Sequence, residues 1–129
     1  MTTKVNIATF DLVNCFSSTL DLISPSVMHH HKRVAYIAFR ISTELNLPLP
    51  NIKQIFLASL LHDVGLLSLD ERLNALQFEI DFEQTGLSQH GALGQFLLEG
   101  YFPFAKAAPM IGAHHLYWRD KDNCQFEEA

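Results

Sequence analysis

The sequence predicts an all-α protein, a single compact bundle of about five to six helices, on three observations. Apolar residues recur at three- and four-residue intervals in successive stretches, those stretches are separated by proline, glycine and capping signals, and 129 residues suffice for one hydrophobic core but are short for two domains.

From Val5 to Ile23 the apolar residues Ile7, Phe10, Leu12, Val13, Phe16, Leu20 and Ile23 share helical spacing, and Ser24-Pro25 interrupts it. A second helix is expected from about Ser26 to Leu45 on the stripe Val27, His30, Val34, Ile37, Ile41 and Leu45, with Pro48 and Pro50 ending it. Asn51 is placed to cap a third helix, whose stripe runs from Ile52 through Ile55, Phe56, Ser59, Leu60, His62 and Asp63 to Leu66 and Leu67. Ser68-Leu69-Asp70-Glu71 matches a capping box and predicts a short helical segment to about Leu76, before a polar loop ending in Thr85-Gly86. Leu87, His90, Leu93, Gly94, Leu97 and Leu98 then share a face. A last helix is expected near Pro109, gathering Ile111, His114, His115 and Trp118.

Composition narrows the function. Hydrophobic residues make up 48% and charged residues 18%, a globular balance, and the longest apolar runs fall far short of a bilayer span. The N-terminus lacks the pattern of a secretory signal, so a cytoplasmic location is expected. Nine basic against fourteen acidic residues give a charge of −5, with no basic cluster interleaved with aromatics, which argues against a polynucleotide partner. Cys15 and Cys124 form no CxxC arrangement and are expected to be ordinary thiols.

The informative feature is seven histidines in four tight places. Four expected helices each carry a histidine or a His-Asp pair on the core-facing stripe: His30, His62-Asp63, His90 and His114-His115. A lone histidine on an apolar face is ordinarily a satisfied core residue. Several of them sharing a core with an aspartate call for neutralising charge, which a divalent cation supplies. Imidazole and carboxylate donors without thiolate suit Fe, Mn, Ni or catalytic Zn with open positions for water, and disfavour a structural zinc knot. Neighbouring residues on a helix point about 100° apart. His62 and Asp63 can therefore both serve one site if it lies between them or holds two ions bridged by Asp63. Two ions about 3.5 to 4 Å apart suit phosphate ester hydrolysis, because they activate water and clamp phosphate oxygens. His29 and His31 face away from the stripe and are expected at the surface, as are Lys32 and Arg33. Tyr117 and Trp118 are expected to cap the core, and Phe56, Phe96, Phe102 and Phe104 to lie within it.

These residues resemble the HD superfamily of metal-dependent phosphohydrolases, and within it the HD-GYP branch. The matching elements are His-x-x-x-Val from His30 to Val34, Leu-Leu-His-Asp-Val-Gly from Leu60 to Gly65, His-x-x-x-Gly from His90 to Gly94, and the pair His114-His115 followed by Trp118. The resemblance implies that His30, His62, Asp63, His90, His114 and His115 are metal ligands for one or two divalent ions, with Fe or Mn favoured over Ni or Zn. It also implies hydrolysis of a nucleotide or cyclic dinucleotide, cyclic di-GMP in that branch. Residues 1–129 then read as one HD domain, with the possibility that they form the N-terminal part of a longer protein. The chain departs from the branch where Leu66 replaces a phosphate-contacting lysine, Leu116 replaces an acidic residue, and Arg119-Asp120-Lys121-Asp122-Asn123 stands where the Gly-Tyr-Pro motif belongs. Ser26 occupies the place of an acidic ligand.

Two functional readings follow. In the first, the chain is a phosphohydrolase of the phosphodiesterase type acting on a small phosphate ester, with Asp63 and His62 as catalytic residues and Asp63 as bridging ligand and proton acceptor. In the second, it keeps the metal cage as a regulatory or nucleotide-binding signalling module without turnover. Leu66 and Leu116 favour the second.

Overall fold

The computed structural model describes residues 7–22, 28–66 and 88–116. Among them are five α-helices and no strand: α1 (Thr9–Asp21), α2 (His30–Glu44), α3 (Leu49–Leu61), α4 (Ser88–Glu99) and α5 (Ala108–Gly112), with a 3₁₀ turn at Phe102–Phe104 between the last two. The all-α expectation is met. The short helix expected after Ser68, the loop that follows it, and Tyr117 and Trp118 lie outside the described residues.

The α2–α3 pair forms one side of the bundle and α4 with α5 the other, while α3 also touches α1 and α5. Val13, Ala35, Ala58, Leu60, Leu61, Phe104, Ala107 and Ile111 form the central core. Several of these are alanines, and a small side chain lets two helix backbones approach closely.

That preference turns two helices away from their expected faces. On α1 the buried positions are Val13, Ser17 and Asp21, a four-residue repeat, while Phe10 and Phe16 are exposed. On α2 they are His31, Ala35 and Ser42, while Ile37, Ile41 and Leu45 of the expected stripe are exposed. The large apolar residues were the more conspicuous pattern, but the small ones face α3. Of the expected core aromatics, Phe104 is buried and Phe56 half-buried, whereas Phe96 is 70% and Phe102 92% exposed.

The α2 helix ends near Leu45 as expected, whereas the starts of α2 and α3 differ from expectation, and each boundary has a local cause. The α2 helix stops before the prolines, in a Schellman motif: Leu47 N–H donates to Ser42 O at 3.1 Å, Asn46 N–H donates to Thr43 O at 3.0 Å, and Asn46 takes the left-handed conformation at φ 54°. Pro48, not Asn51, is the N-cap of α3, and Pro50 sits in the first turn, where a missing N–H costs no helical hydrogen bond.

Candidate metal centre

Every histidine of the site stands at or near a helix end. His30 and His31 open α2, after His29 in the left-handed conformation at φ 62°. His62 is the C-cap of α3, so Asp63 lies in the turn beyond the helix, not on the expected continuation to Leu67. His90 is in the first turn of α4. The α5 helix ends at Gly112, and His114 and His115 lie in the turn that follows it.

Two groups of donors result. Ligand atoms of His30, His62 and Asp63 lie within 4.8 Å of one another, as do those of His90, His114 and His115. Asp63 stands between them. Its Oδ2 faces His62 Nε2 at 3.1 Å and His30 Nε2 at 3.7 Å, while its Oδ1 faces His90 Nε2 at 3.5 Å and His114 Nε2 at 3.8 Å. The structure thus brings together all six residues the sequence singled out.

The close approach of the two groups depends on glycine. A β-carbon on Gly65 would overlap the carbonyl oxygen of His90 and stand 2.8 Å from Gly94 N. One on Gly94 would stand 2.9 Å from Ile111 Cγ2. Asp-Val-Gly and His-x-x-x-Gly therefore describe one contact, in which the turn carrying Asp63 lies against the backbone of α4 one turn after His90.

The hydrogen bonds behind the rings set their tautomers. A carbonyl oxygen only accepts, so Nδ1–H of His62 donates to Ser59 O at 2.9 Å and Nδ1–H of His114 donates to Ile111 O at 2.6 Å. In the neutral rings this leaves the Nε2 lone pairs facing the centre, the arrangement of metal-binding imidazoles. There they crowd: His30 Nε2 is 3.2 Å from His62 Nε2, and His90 Nε2 is 3.2 Å from His114 Nε2 and 2.9 Å from His115 Nε2. One proton on His90 cannot bridge both neighbours well, whereas one cation can accept all three lone pairs. The donor set fits a divalent ion in each half.

Electrostatics agree. Burial pushes His114 down to about 4, against a weaker opposing hydrogen bond to Ile111. Burial, followed by the neighbouring His114 and His90, pushes His115 down to about 3. Both rings are neutral near pH 7, with lone pairs available to a cation. Burial acts to raise Asp63, but in the metal-free centre, where these rings can also carry protons on Nε2, hydrogen bonding by His62 and His90 and positive charge on His62 and His31 outweigh it and hold the carboxyl well below the usual range.

Sequence periodicity missed two residues here. His31, expected at the surface, is 2% exposed, and its Nδ1 lies 2.6 Å from Oδ1 of Asp21, a buried residue at the end of α1. Placing Ala35 and Ser42 on the packed face of α2 would have found His31; Asp21 carried no sequence signal. His29 and Arg33 are exposed as expected, and Lys32 is half-buried.

An all-helical domain with a histidine-rich centre organised around one aspartate is the class that fold and geometry define. The family model for the HD domain matches residues 27–128, and the chain belongs to that family. It is similar to the 3'3'-cGAMP-specific phosphodiesterase 3 of Vibrio cholerae serotype O1, at 31% identity over 107 residues, which make up 81% of this chain and 23% of that protein. The chain therefore spans less than a quarter of the relative's length. No solved structure matches it. No described helix is long and apolar enough to cross a membrane.

Proposed function

We propose that this domain is a metal-dependent phosphohydrolase acting on the phosphodiester of a nucleotide or cyclic dinucleotide, with two divalent ions, Fe or Mn by preference. One observation carries the reading: the two oxygens of a single carboxylate, Asp63, face separate histidine groups. That is the geometry of a bridging ligand. Bound in such a centre, paired divalent ions supply an activated water and charge to clamp phosphate oxygens. In this reading His30 and His62 hold one ion position, His90, His114 and His115 hold the other, and Asp63 joins them. Ser59 and Ile111 keep the His62 and His114 rings aimed inward. Each of the side chains of His30, His62, Asp63 and His114 keeps a small exposed edge, which gives substrate an approach. The relative's cyclic dinucleotide supports that substrate class; cyclic di-GMP and 3'3'-cGAMP are the first two to test.

A second reading is a regulatory module that binds metal without turnover. Its support is Leu66, buried just beyond Asp63 where the HD-GYP branch carries a phosphate-contacting lysine. No lysine or arginine among the described residues forms an ion pair with Asp63.

Elemental analysis by plasma mass spectrometry, run beside a phosphodiesterase assay with added Mn(II) or Fe(II), separates the readings. About two equivalents of metal with turnover are expected of the enzyme. Metal without turnover on cyclic dinucleotides or simple phosphodiesters leaves the regulatory module, and no metal under any loading overturns both.

A further inference from the structure

His31 and Asp21 form a buried pair outside the six expected donors. His31 is 2% exposed and Asp21 6%. The ring has one nitrogen committed and one open. A carboxylate only accepts, so Nδ1 carries the proton and donates to Asp21 Oδ1 at 2.6 Å. In the neutral ring, Nε2 then presents a lone pair, and it is buried without a hydrogen-bond partner. It faces Asp63 Oδ2 at 3.8 Å. Two acceptors turned toward each other in a dry site repel unless a cation lies between them.

We propose that His31 is a further metal ligand, through Nε2, to the ion of the His30–His62–Asp63 half, and that Asp21 is the positioning residue that fixes its tautomer and ring. The inference rests on the metal-centre reading above. Metal–ligand bonds of about 2.1 Å put neighbouring donors roughly 3.0 Å apart and opposite donors roughly 4.2 Å apart in a six-coordinate ion. The separation of His31 Nε2 from Asp63 Oδ2 lies inside that range, as do those of His30 Nε2 from His62 Nε2 at 3.2 Å and His30 Nε2 from Asp63 Oδ2 at 3.7 Å. His31 lies outside the set of donors that are all within 4.8 Å of one another, so ligation draws its Nε2 toward His30 and His62 as the ion binds. A carboxylate behind a histidine, with the far nitrogen turned to a charge-rich centre, is the support that ligating imidazoles use. The role also gives a physical reason for a consecutive His30-His31 pair at the start of α2. The first turn of the helix sends both rings to the same carboxylate oxygen, and α1 supplies the brace.

The test uses the wild-type chain with isotope-labelled histidine, followed by nitrogen NMR during titration with Zn(II). If His31 ligates, its Nε2 moves to the metal-bound position together with those of His30, His62, His90, His114 and His115, while His29 stays in place. If those five move and His31 Nε2 does not, the inference is overturned and the metal centre stands. If none moves, the metal-centre reading fails and this inference with it. Asp21→Leu, which removes the acceptor of the Nδ1 proton at similar size, gives a second readout, the affinity for Zn(II) in competition with a chromophoric chelator, with the metal-free fold checked by circular dichroism. A folded variant with affinity lowered about ten- to a hundredfold supports the positioning role; unchanged affinity overturns it.

Discussion

Gly65 lies against the carbonyl oxygen of His90 so closely that no side chain fits between them, and a β-carbon there would also stand 2.8 Å from Gly94 N. The contact is backbone against backbone, so no rotamer change relieves it. Gly65→Ala should push the Asp63 turn away from α4 and cost about 3 kcal/mol or more, the upper end of the overpacking range. Urea denaturation of the metal-free protein measures this as a lower midpoint at unchanged slope. The same variant should hold less metal, because His90 and Asp63 separate.

Ile111 is fully buried, and its carbonyl accepts the Nδ1–H of His114. Its side chain packs where Gly94 leaves room. Ile111→Ala should destabilise the fold by about 2–5 kcal/mol through the cavity it leaves. Ile111→Val should cost only about 0.5–1.5 kcal/mol, since it keeps the atoms nearest Gly94. If the two variants melt at the same temperature, Ile111 does not anchor the α4–α5 contact.

Acid should destabilise the metal-free domain over a defined window. The rings of His114 and His115, lowered by burial to about 4 and about 3, stay neutral in the folded state where the unfolded rings, at 6.5, already take up protons. The unfolded state binds more protons below pH 6.5, so stability is complete above that value and falls as pH drops toward 4. Asp63, held below its ordinary value, adds a loss in the same direction below the usual carboxylate range. Thermal melts should show a falling midpoint from about pH 7 to pH 5, and His114→Gln should flatten the slope. An unchanged midpoint across that interval contradicts the burial of these rings.

Much of this centre could be read from residue types alone, because burying several histidines with one aspartate has few physical justifications. His30, His62, Asp63, His90, His114 and His115 converge as the sequence implied. What periodicity missed was rotation and position along the helix. Counting large apolar residues on α2 selected Ile37 and Ile41, yet close helix packing buries Ala35 and Ser42 and with them His31. Helix continuation was likewise expected through His62-Asp63 and His114-His115, whereas both pairs sit in turns, where adjacent side chains escape the 100° separation and reach one centre. Asp21 was invisible because its partner lies ten positions away on another helix.

The division of the centre into two halves makes a stoichiometric prediction. If each histidine group holds one ion and Asp63 serves both, removing a histidine should empty one position and removing the carboxylate should weaken two. His62→Ala should retain the ion of the His90, His114 and His115 group and lose the other, and His90→Ala should do the reverse. Asp63→Asn keeps the shape of the side chain but removes the charge between the groups. It should lower affinity at both positions, by at least about ten- to a hundredfold, the loss found when even a supporting group of a ligand is removed. Titration calorimetry with Mn(II) distinguishes the cases by the number of binding steps: two for the wild type, one for either histidine variant, and two weakened steps or none for Asp63→Asn. A wild-type chain that takes up a single ion, unaffected by His90→Ala, would show that Asp63 does not bridge.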